Sequence, residues 1–354
     1  MNFHGGQYKK EGLLDFSVNI PSIPFEEAYK QLLNHTIESL HEYPEIDGKQ
    51  ARIKLAESIK WPEDQIVLGN GATDLIYLVA RALKFKRAMV LEPTFTEYTR
   101  ALELNGTQVT HQMMQEIVFE NMNTFDIEAS EMANAINQSS CEALFICNPN
   151  NPTGHLMSHM WIESVLTNVS SSKFLLVIDE SFIEFKERSE HATAMKNLMT
   201  KYNILVIRSM TKTYCVPGLR IGYAFSSKEV IDQINRFRDP WALNRFALES
   251  IPYFLNEIDY LPELQKWCAE ESHFLQRGLS AIDGIEVYKS EANFILFKCK
   301  KNNPMQWHEK LIIKGLYLRT CTDFYGLGSH FFRIAVKDRV SNQKCIEIIR
   351  EEYI

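Results

Sequence analysis

The chain has 354 residues, of which 45% are apolar and 23% charged, and its net charge is −7. That length suits about two domains of an ordinary soluble protein, and with no long basic run it gives nucleic-acid binding little electrostatic support. No apolar stretch approaches the roughly 20 residues of a membrane helix. Met1-Asn2-Phe3-His4-Gly5-Gly6 lacks a secretory pattern, and the seven cysteines are scattered without a CxxC pair, which argues against a zinc site or a disulfide framework. Reduced, mostly buried thiols in a cytoplasmic protein are expected, with one reactive cysteine as the alternative.

Residues 1–44 read as an N-terminal arm. Ile66-Val67-Leu68 is a short strand, and after Gly69-Asn70-Gly71-Ala72-Thr73 apolar residues recur at Leu75, Ile76, Val79, Ala82 and Leu83. This is helical spacing, with Thr73 or Asp74 near its start. Continuous apolar runs follow at 88–91, 143–147, 174–178 and 204–207, ending at Pro93, an Asn/Pro cluster, Asp179 and Arg208-Ser209. Such runs suit strands buried on both faces. With helices between them, they predict an α/β domain over 45–250 with a mostly parallel sheet. A helical stretch near 253–279 then leads into a smaller α+β domain within 251–354, with strands near 292–297 and 331–336. The arm is expected to pack on that small domain.

Ligands of open α/β sheets sit beyond the carboxyl ends of the strands, where the polar candidates fall. Lys212 follows the 204–207 strand with Ser209, Thr211 and, shortly after, Arg220. These could hold a phosphate while the lysine amine reaches an aldehyde carbon, and cationic neighbours would lower its pKa. Gly71-Ala72-Thr73 opens a helix, where free N–H groups favour an anion. Asp179 ends a very apolar strand, and a carboxylate there is costly unless paired. A pyridinium N–H is one such partner, which would make the ring an electron sink. Asn151, in the turn 148–154, could donate to a phenolic oxygen, and Phe95 could stack on a ring. Each signal is weak alone; in this order, each at a strand end, they reinforce one another.

These motifs, together with 179–182 and 217–223, resemble the fold-type I pyridoxal-5′-phosphate (PLP) enzymes of the class I/II aminotransferase group. Two subfamilies compete: histidinol-phosphate aminotransferase and L-threonine-O-3-phosphate decarboxylase of the cobalamin pathway. The decarboxylase is favoured by His4-Gly5-Gly6, by 14–20, by 208–214, by Pro240-Trp241 with Asn244, and by 318–321. Phe182 points the same way, because the aminotransferases usually carry a tyrosine there.

The resemblance implies a large PLP-binding domain and a small α+β domain, with Lys212 as the Schiff-base lysine. Asp179 would pair with the ring nitrogen, Asn151 contact the phenolic oxygen, and Phe95, or less favourably Tyr98, stack on the ring. Gly71, Ala72, Thr73, Ser209, Thr211 and Arg220 would hold the cofactor phosphate. Tyr43 would reach that phosphate across a homodimer interface. Arg333 and Asn19, with Asn151 nearby, would take the substrate carboxylate; His4, Gly6 and Arg319 would take a substrate phosphate. The expected substrate is a small O-phospho-amino acid, with O-phospho-L-serine as an alternative to O-phospho-L-threonine. A non-catalytic relative would be marked by loss of the lysine or the aspartate, and neither is lost.

Overall fold

The computed structural model describes residues 5–6, 12–21, 23, 26–187 and 189–353. Seven strands form the large sheet: β1 (Ile66–Gly69), β2 (Arg87–Glu92), β3 (Gln108–Met113), β4 (Ala143–Cys147), β5 (Leu175–Asp179), β6 (Ile204–Ser209) and β7 (Gly222–Phe225). Their spatial order is β1-β7-β6-β5-β4-β2-β3. Strands β3, β2, β4, β5 and β6 pair in parallel, while β7 runs antiparallel to both β6 and β1. The fold is α/β with a mostly parallel sheet, as the apolar runs predict.

Side chains alternate across a strand, and here both faces are covered. Leu144, Ile146, Leu176, Ile178 and Val206 enter one core, whereas Phe145, Val177, Leu205 and Ile207 enter the other. Each fully buried side chain of this size contributes about 1.5–3 kcal/mol. The uninterrupted apolar runs are the sequence trace of this two-faced burial.

Two strands carry no such run. β3 is the sheet edge, and its sequence QVTHQM is mostly half-exposed. β7 is fully buried but only four residues long. A hairpin of Gln115–Phe119 and Met122–Asp126 also lies outside the sequence expectation. Its two turn residues, Glu120 and Asn121, both have positive φ (51° and 63°), as the tight hairpin turns that match strand twist require.

Beyond the sheet the expected single helical stretch is two helices, α1 (Arg245–Asn256) and α2 (Tyr260–Ser280). Helix is interrupted at 257–259, and α2 starts with Pro262 in its first turn, where a missing N–H costs nothing. The small sheet contains β8 (Ile285–Val287), β9 (Phe294–Cys299), β10 (Arg319–Thr320) and β11 (Phe331–Ala335), in the antiparallel order β8-β9-β11-β10. The arm has two packing partners instead of one. Leu14–Asp15 pairs in parallel with Leu316–Tyr317, and Phe16 enters the small-sheet core. The helix Glu27–Glu38 instead lies on α1, where Thr36 Oγ1 donates to Glu249 Oε2 at 2.7 Å and the Tyr29 and Ser250 hydroxyls meet at 2.9 Å. No described helix is long and apolar enough to cross a membrane.

Candidate active site

The carboxyl ends of β2, β4, β5 and β6 open into a cleft of about 180 Å³ closed on its far side by β10, β11 and residues 17–20 of the arm. Lys212 stands in the short helix Met210–Thr213, immediately after β6. Its Nζ lies 4.8 Å from the centroid of the Phe182 ring. Burial lowers its pKa, nearby Arg220 and Arg333 lower it further, and Asp179 opposes them. A lysine held this way releases its proton more readily than a surface lysine, as an amine that must attack carbon requires.

This sets a stability signature in the cofactor-free protein. An unfolded lysine keeps its proton up to about 10.4, whereas folded Lys212 releases it earlier. Between those two values the unfolded chain holds more protons, so unfolding free energy rises with pH. The difference in urea midpoint between wild type and Lys212→Met, followed from pH 7 to 10.5, should therefore shift in favour of wild type as pH rises. A flat difference would mean that Lys212 is not desolvated.

Asp179, the last residue of β5, is 4% exposed. No ion pair holds it among the described residues. Instead Oδ1 accepts from the Ser181 N–H at 2.9 Å and Oδ2 accepts from the Tyr98 hydroxyl at 2.7 Å. Both donors are neutral, and Asp179 stands near enough to Lys212 to favour the protonated amine.

On the other side of Lys212, strand register assembles an anion cup. Gly222 pairs with Ser209 on one side and Gly69 on the other, so the end of β6 and the turn after β1 lie side by side. Gly71, at φ +86°, precedes the helix Ala72–Leu83, whose first turn carries Thr73. A Cβ on Gly71 would stand 2.4 Å from Arg220 Nη2 and displace the guanidinium, and the positive φ would strain any other residue. Ser209 Oγ and Thr211 Oγ1 are 2.7 Å apart. The helix N–H groups, the two hydroxyls and Arg220 are the donors a phosphate takes.

Asn151 is 7% exposed in the turn after β4. Its Oδ1 accepts from Arg333 Nη1, so its amide nitrogen serves the cleft. Asn150 ties this turn to the one before Phe95, donating to Pro93 O at 2.8 Å and accepting from Thr94 Oγ1 at 2.6 Å. Phe95 lines the cleft. Tyr98 does not: it is 1% exposed, edge-on to Phe95, and bonded to Asp179.

The small sheet supplies two arginines on neighbouring strands, paired in register as Arg319 and Arg333. Arg333 donates from Nη2 to Ser17 O at 2.8 Å, its Nε has no partner, and burial pushes its guanidinium down to about 10. Arg319 forms a buried ion pair. It is 5% exposed and donates to Asp323 Oδ2 at 2.7 Å. Asn19 lines the cleft with its Oδ1 buried and unpartnered. The Gly6 N–H donates to Ser17 Oγ at 2.9 Å, which places Gly6 beside the cleft rim formed by Gly5 and Ser17. His4 lies outside the described residues. Tyr43 is elsewhere: it is 82% exposed, with its ring on Trp241 at 5.1 Å.

The site thus combines a depressed lysine, a buried carboxylate with no ion partner among the described residues, and an anion cup. These features fit the aldehyde, ring nitrogen and phosphate of PLP. Sequence reasoning named Tyr98 only as a less favoured stacking ring and missed its bond to Asp179; it also missed Cys147, whose thiol burial pushes up to about 12 beside Asp179. Tyr98 had a signal, since it stands one turn after Phe95; Cys147, inside an apolar run, had none.

Comparison with known proteins gives the same reading. The chain is 32% identical over 314 residues, 89% of its length and 84% of the relative's, to a Caldanaerobacter subterraneus protein provisionally named a threonine-phosphate decarboxylase. It is 28% identical to the threonine-phosphate decarboxylase of Salmonella typhimurium, over 98% of this chain and 95% of that one. The crystal structure of the histidinol-phosphate aminotransferase from Clostridium acetobutylicum superposes with a TM-score of 0.86 at 27% identity, covering 96% and 98% of the two chains. The profile of the family Aminotransferase class I and II matches residues 11–350. With that match spanning almost the whole chain, and a site that fits the cofactor, the protein belongs to the class I and II aminotransferase family of PLP-dependent enzymes.

Proposed function

We propose that this enzyme decarboxylates an O-phospho-amino acid, O-phospho-L-threonine before O-phospho-L-serine, releasing (R)-1-amino-2-propanol phosphate and CO₂ for cobalamin assembly. The observation that carries the reading is the pair of buried arginines, Arg319 and Arg333, in one cleft with Lys212. A substrate with a carboxylate and a phosphate needs two such cations, and its amine needs a site between them. The decarboxylase names of the two relatives above support the same choice.

Bound there, PLP supplies an aldehyde for the substrate amine and a conjugated ring that accepts the electron pair released at Cα. Asp179 holds the ring nitrogen, Asn151 donates to the phenolic oxygen, and Phe95 covers the ring. Gly71, Ala72, Thr73, Ser209, Thr211 and Arg220 bind its phosphate. Arg333, braced by Ser17 O and Asn151, binds the substrate carboxylate with Asn19. Arg319, with Gly6 and His4, takes the substrate phosphate. Which bond at Cα breaks is a matter of how those groups hold it. Lys212, the only lysine lining the cleft among the described residues, returns a proton to Cα.

The proposal includes a homodimer. Tyr43 lies with Ile37, Leu40, Ile46 and Trp241 in a run of exposed apolar side chains, each at least 45% accessible. Such a patch suits a protein interface, and a second copy would bring Tyr43 to the phosphate cup. Seven free cysteines, six of them buried, favour the cytoplasm.

The decisive assay is CO₂ release by the PLP-loaded protein from O-phospho-L-threonine and O-phospho-L-serine, with no 2-oxo acid present. Release from the threonine derivative at the higher kcat/KM is expected. One methyl group discriminates by only about 10–200-fold, so turnover of both substrates is consistent with the proposal. No release, with amino transfer from histidinol phosphate to 2-oxoglutarate, would overturn it in favour of the aminotransferase.

A further inference from the structure

Tyr98 belongs to neither the cofactor cup nor the substrate cleft, yet it touches two groups that line up the ring. It stands in the first turn of the helix Glu97–Leu104, 1% exposed. Its hydroxyl donates to Asp179 Oδ2 at 2.7 Å. Its ring meets Phe95 edge-on, with centroids 5.6 Å apart and planes at 81°, and packs on Phe145 at 6.3 Å.

An ionised carboxylate has about four lone-pair positions. The Ser181 N–H fills one on Oδ1 and the Tyr98 hydroxyl fills one on Oδ2. With both oxygens tethered, the carboxylate cannot rotate about its last bond without breaking a buried hydrogen bond. Burial and the neighbouring carboxylate hold the Tyr98 pKa well above its ordinary value. The hydroxyl therefore stays protonated and can only donate to Asp179. The adjacent Cys147 thiol is likewise held neutral, so the Asp179 charge has no competing anion.

We infer that Tyr98 is a positioning residue: its hydroxyl fixes the Asp179 carboxylate toward the cofactor ring nitrogen, and its ring edge sets the position of Phe95. The inference rests on the proposed pairing of Asp179 with that nitrogen. Second-layer groups that orient a ligand-holding side chain are commonly worth about 10- to 100-fold in affinity, as at metal sites.

The test uses titration of the cofactor-stripped protein with PLP, and the ¹⁵N signal of labelled PLP in the reloaded protein. Tyr98→Phe removes the hydroxyl and keeps the ring. It should weaken PLP binding about tenfold and move the ring-nitrogen resonance. Phe145→Leu disturbs the same packing without touching the hydrogen bond, and should leave that resonance where it is. In an Asp179→Ala background, Tyr98→Phe should have little further effect on affinity, because both changes act through one interaction.

Wild-type affinity and resonance in Tyr98→Phe, an equal resonance shift in Phe145→Leu, or additive losses in the double variant would each overturn the inference. If Tyr98→Phe does not fold, Tyr98→Met, which also lacks a donor, replaces it with the same cycle and the same criteria. The underlying reading fails separately: Asp179→Ala binding PLP like wild type would show that the aspartate does not hold the ring, whatever Tyr98 does.

Discussion

Lys212→Ala is expected to reduce turnover by at least about 10⁴-fold, the loss of a group proposed to serve both as covalent anchor and as proton carrier. The expectation follows from how the fold presents this one side chain. β6 is buried except at Arg208 and ends at Ser209, so the chain leaves the sheet at its carboxyl end, where Lys212 of the short helix Met210–Thr213 lines the cleft. Phe182 receives the ammonium on its ring face at 4.8 Å. Burial discourages the charged form, Asp179 opposes that, and Arg220 and Arg333 add to it. No other lysine among the described residues lines the cleft to replace it. Lys212→Arg preserves the charge but cannot deprotonate, so it should be as inactive as the alanine variant. Two measurements check this: steady-state turnover, and retention of the cofactor on the protein after borohydride reduction. Both should be lost in the variants while cofactor-free folding is retained. Turnover within tenfold of wild type in Lys212→Ala would remove Lys212 from the mechanism.

What the sequence made legible was whatever one segment states by itself. The apolar runs at β2, β4, β5 and β6 are strands buried on two faces, and their shortness and bounding turn residues set them apart from buried helices. The polar residues at their ends, Asn151, Asp179, Ser209 and Lys212, followed from the rule that such sheets bind ligands at that edge. Strands lacking a run stayed hidden. β3 is a half-exposed edge, and β7 is too short to show a period, although its register brings Ser209, Gly71 and Arg220 together. Pairings between distant segments were hidden for a related reason. Tyr98 and Asp179 are 81 residues apart, and Arg333 and Ser17 are 316 apart. No residue type in either partner announces the other. The arm shows the same limit: Leu14–Asp15 joins the small sheet while the next helix packs on α1, a division decided by tertiary packing and not by the local sequence.

Arg333→Met should lower kcat/KM by about 10²- to 10³-fold while changing the stability of the cofactor-free protein by less than about 2 kcal/mol. The two halves of this prediction have one cause. Arg333 is 6% exposed, no carboxylate pairs with it among the described residues, its Nε has no partner, and burial pushes its guanidinium down to about 10. Burying an ion costs several kcal/mol, and hydrogen bonds to Ser17 O and Asn151 Oδ1, at about 1.5–3 kcal/mol each, roughly offset that cost. Folding therefore gains little from the arginine, and a methionine of similar length refills the space. Catalysis loses more, because removing a buried charge from its partner costs about 2–5 kcal/mol. Lysine should not rescue, since a point charge cannot brace Asn151 and Ser17 O while also meeting a planar carboxylate. A stability loss above about 3 kcal/mol with an unchanged KM would make Arg333 structural instead. The proposed product, 1-amino-2-propanol phosphate, separates the two arginines further, because it keeps the phosphate and lacks the carboxylate. Its inhibition constant should be nearly unchanged in Arg333→Met and raised at least about tenfold in Arg319→Met. The reverse pattern would exchange the roles of the two arginines, and equal effects in both variants would mean that the cleft does not sort carboxylate from phosphate by strand.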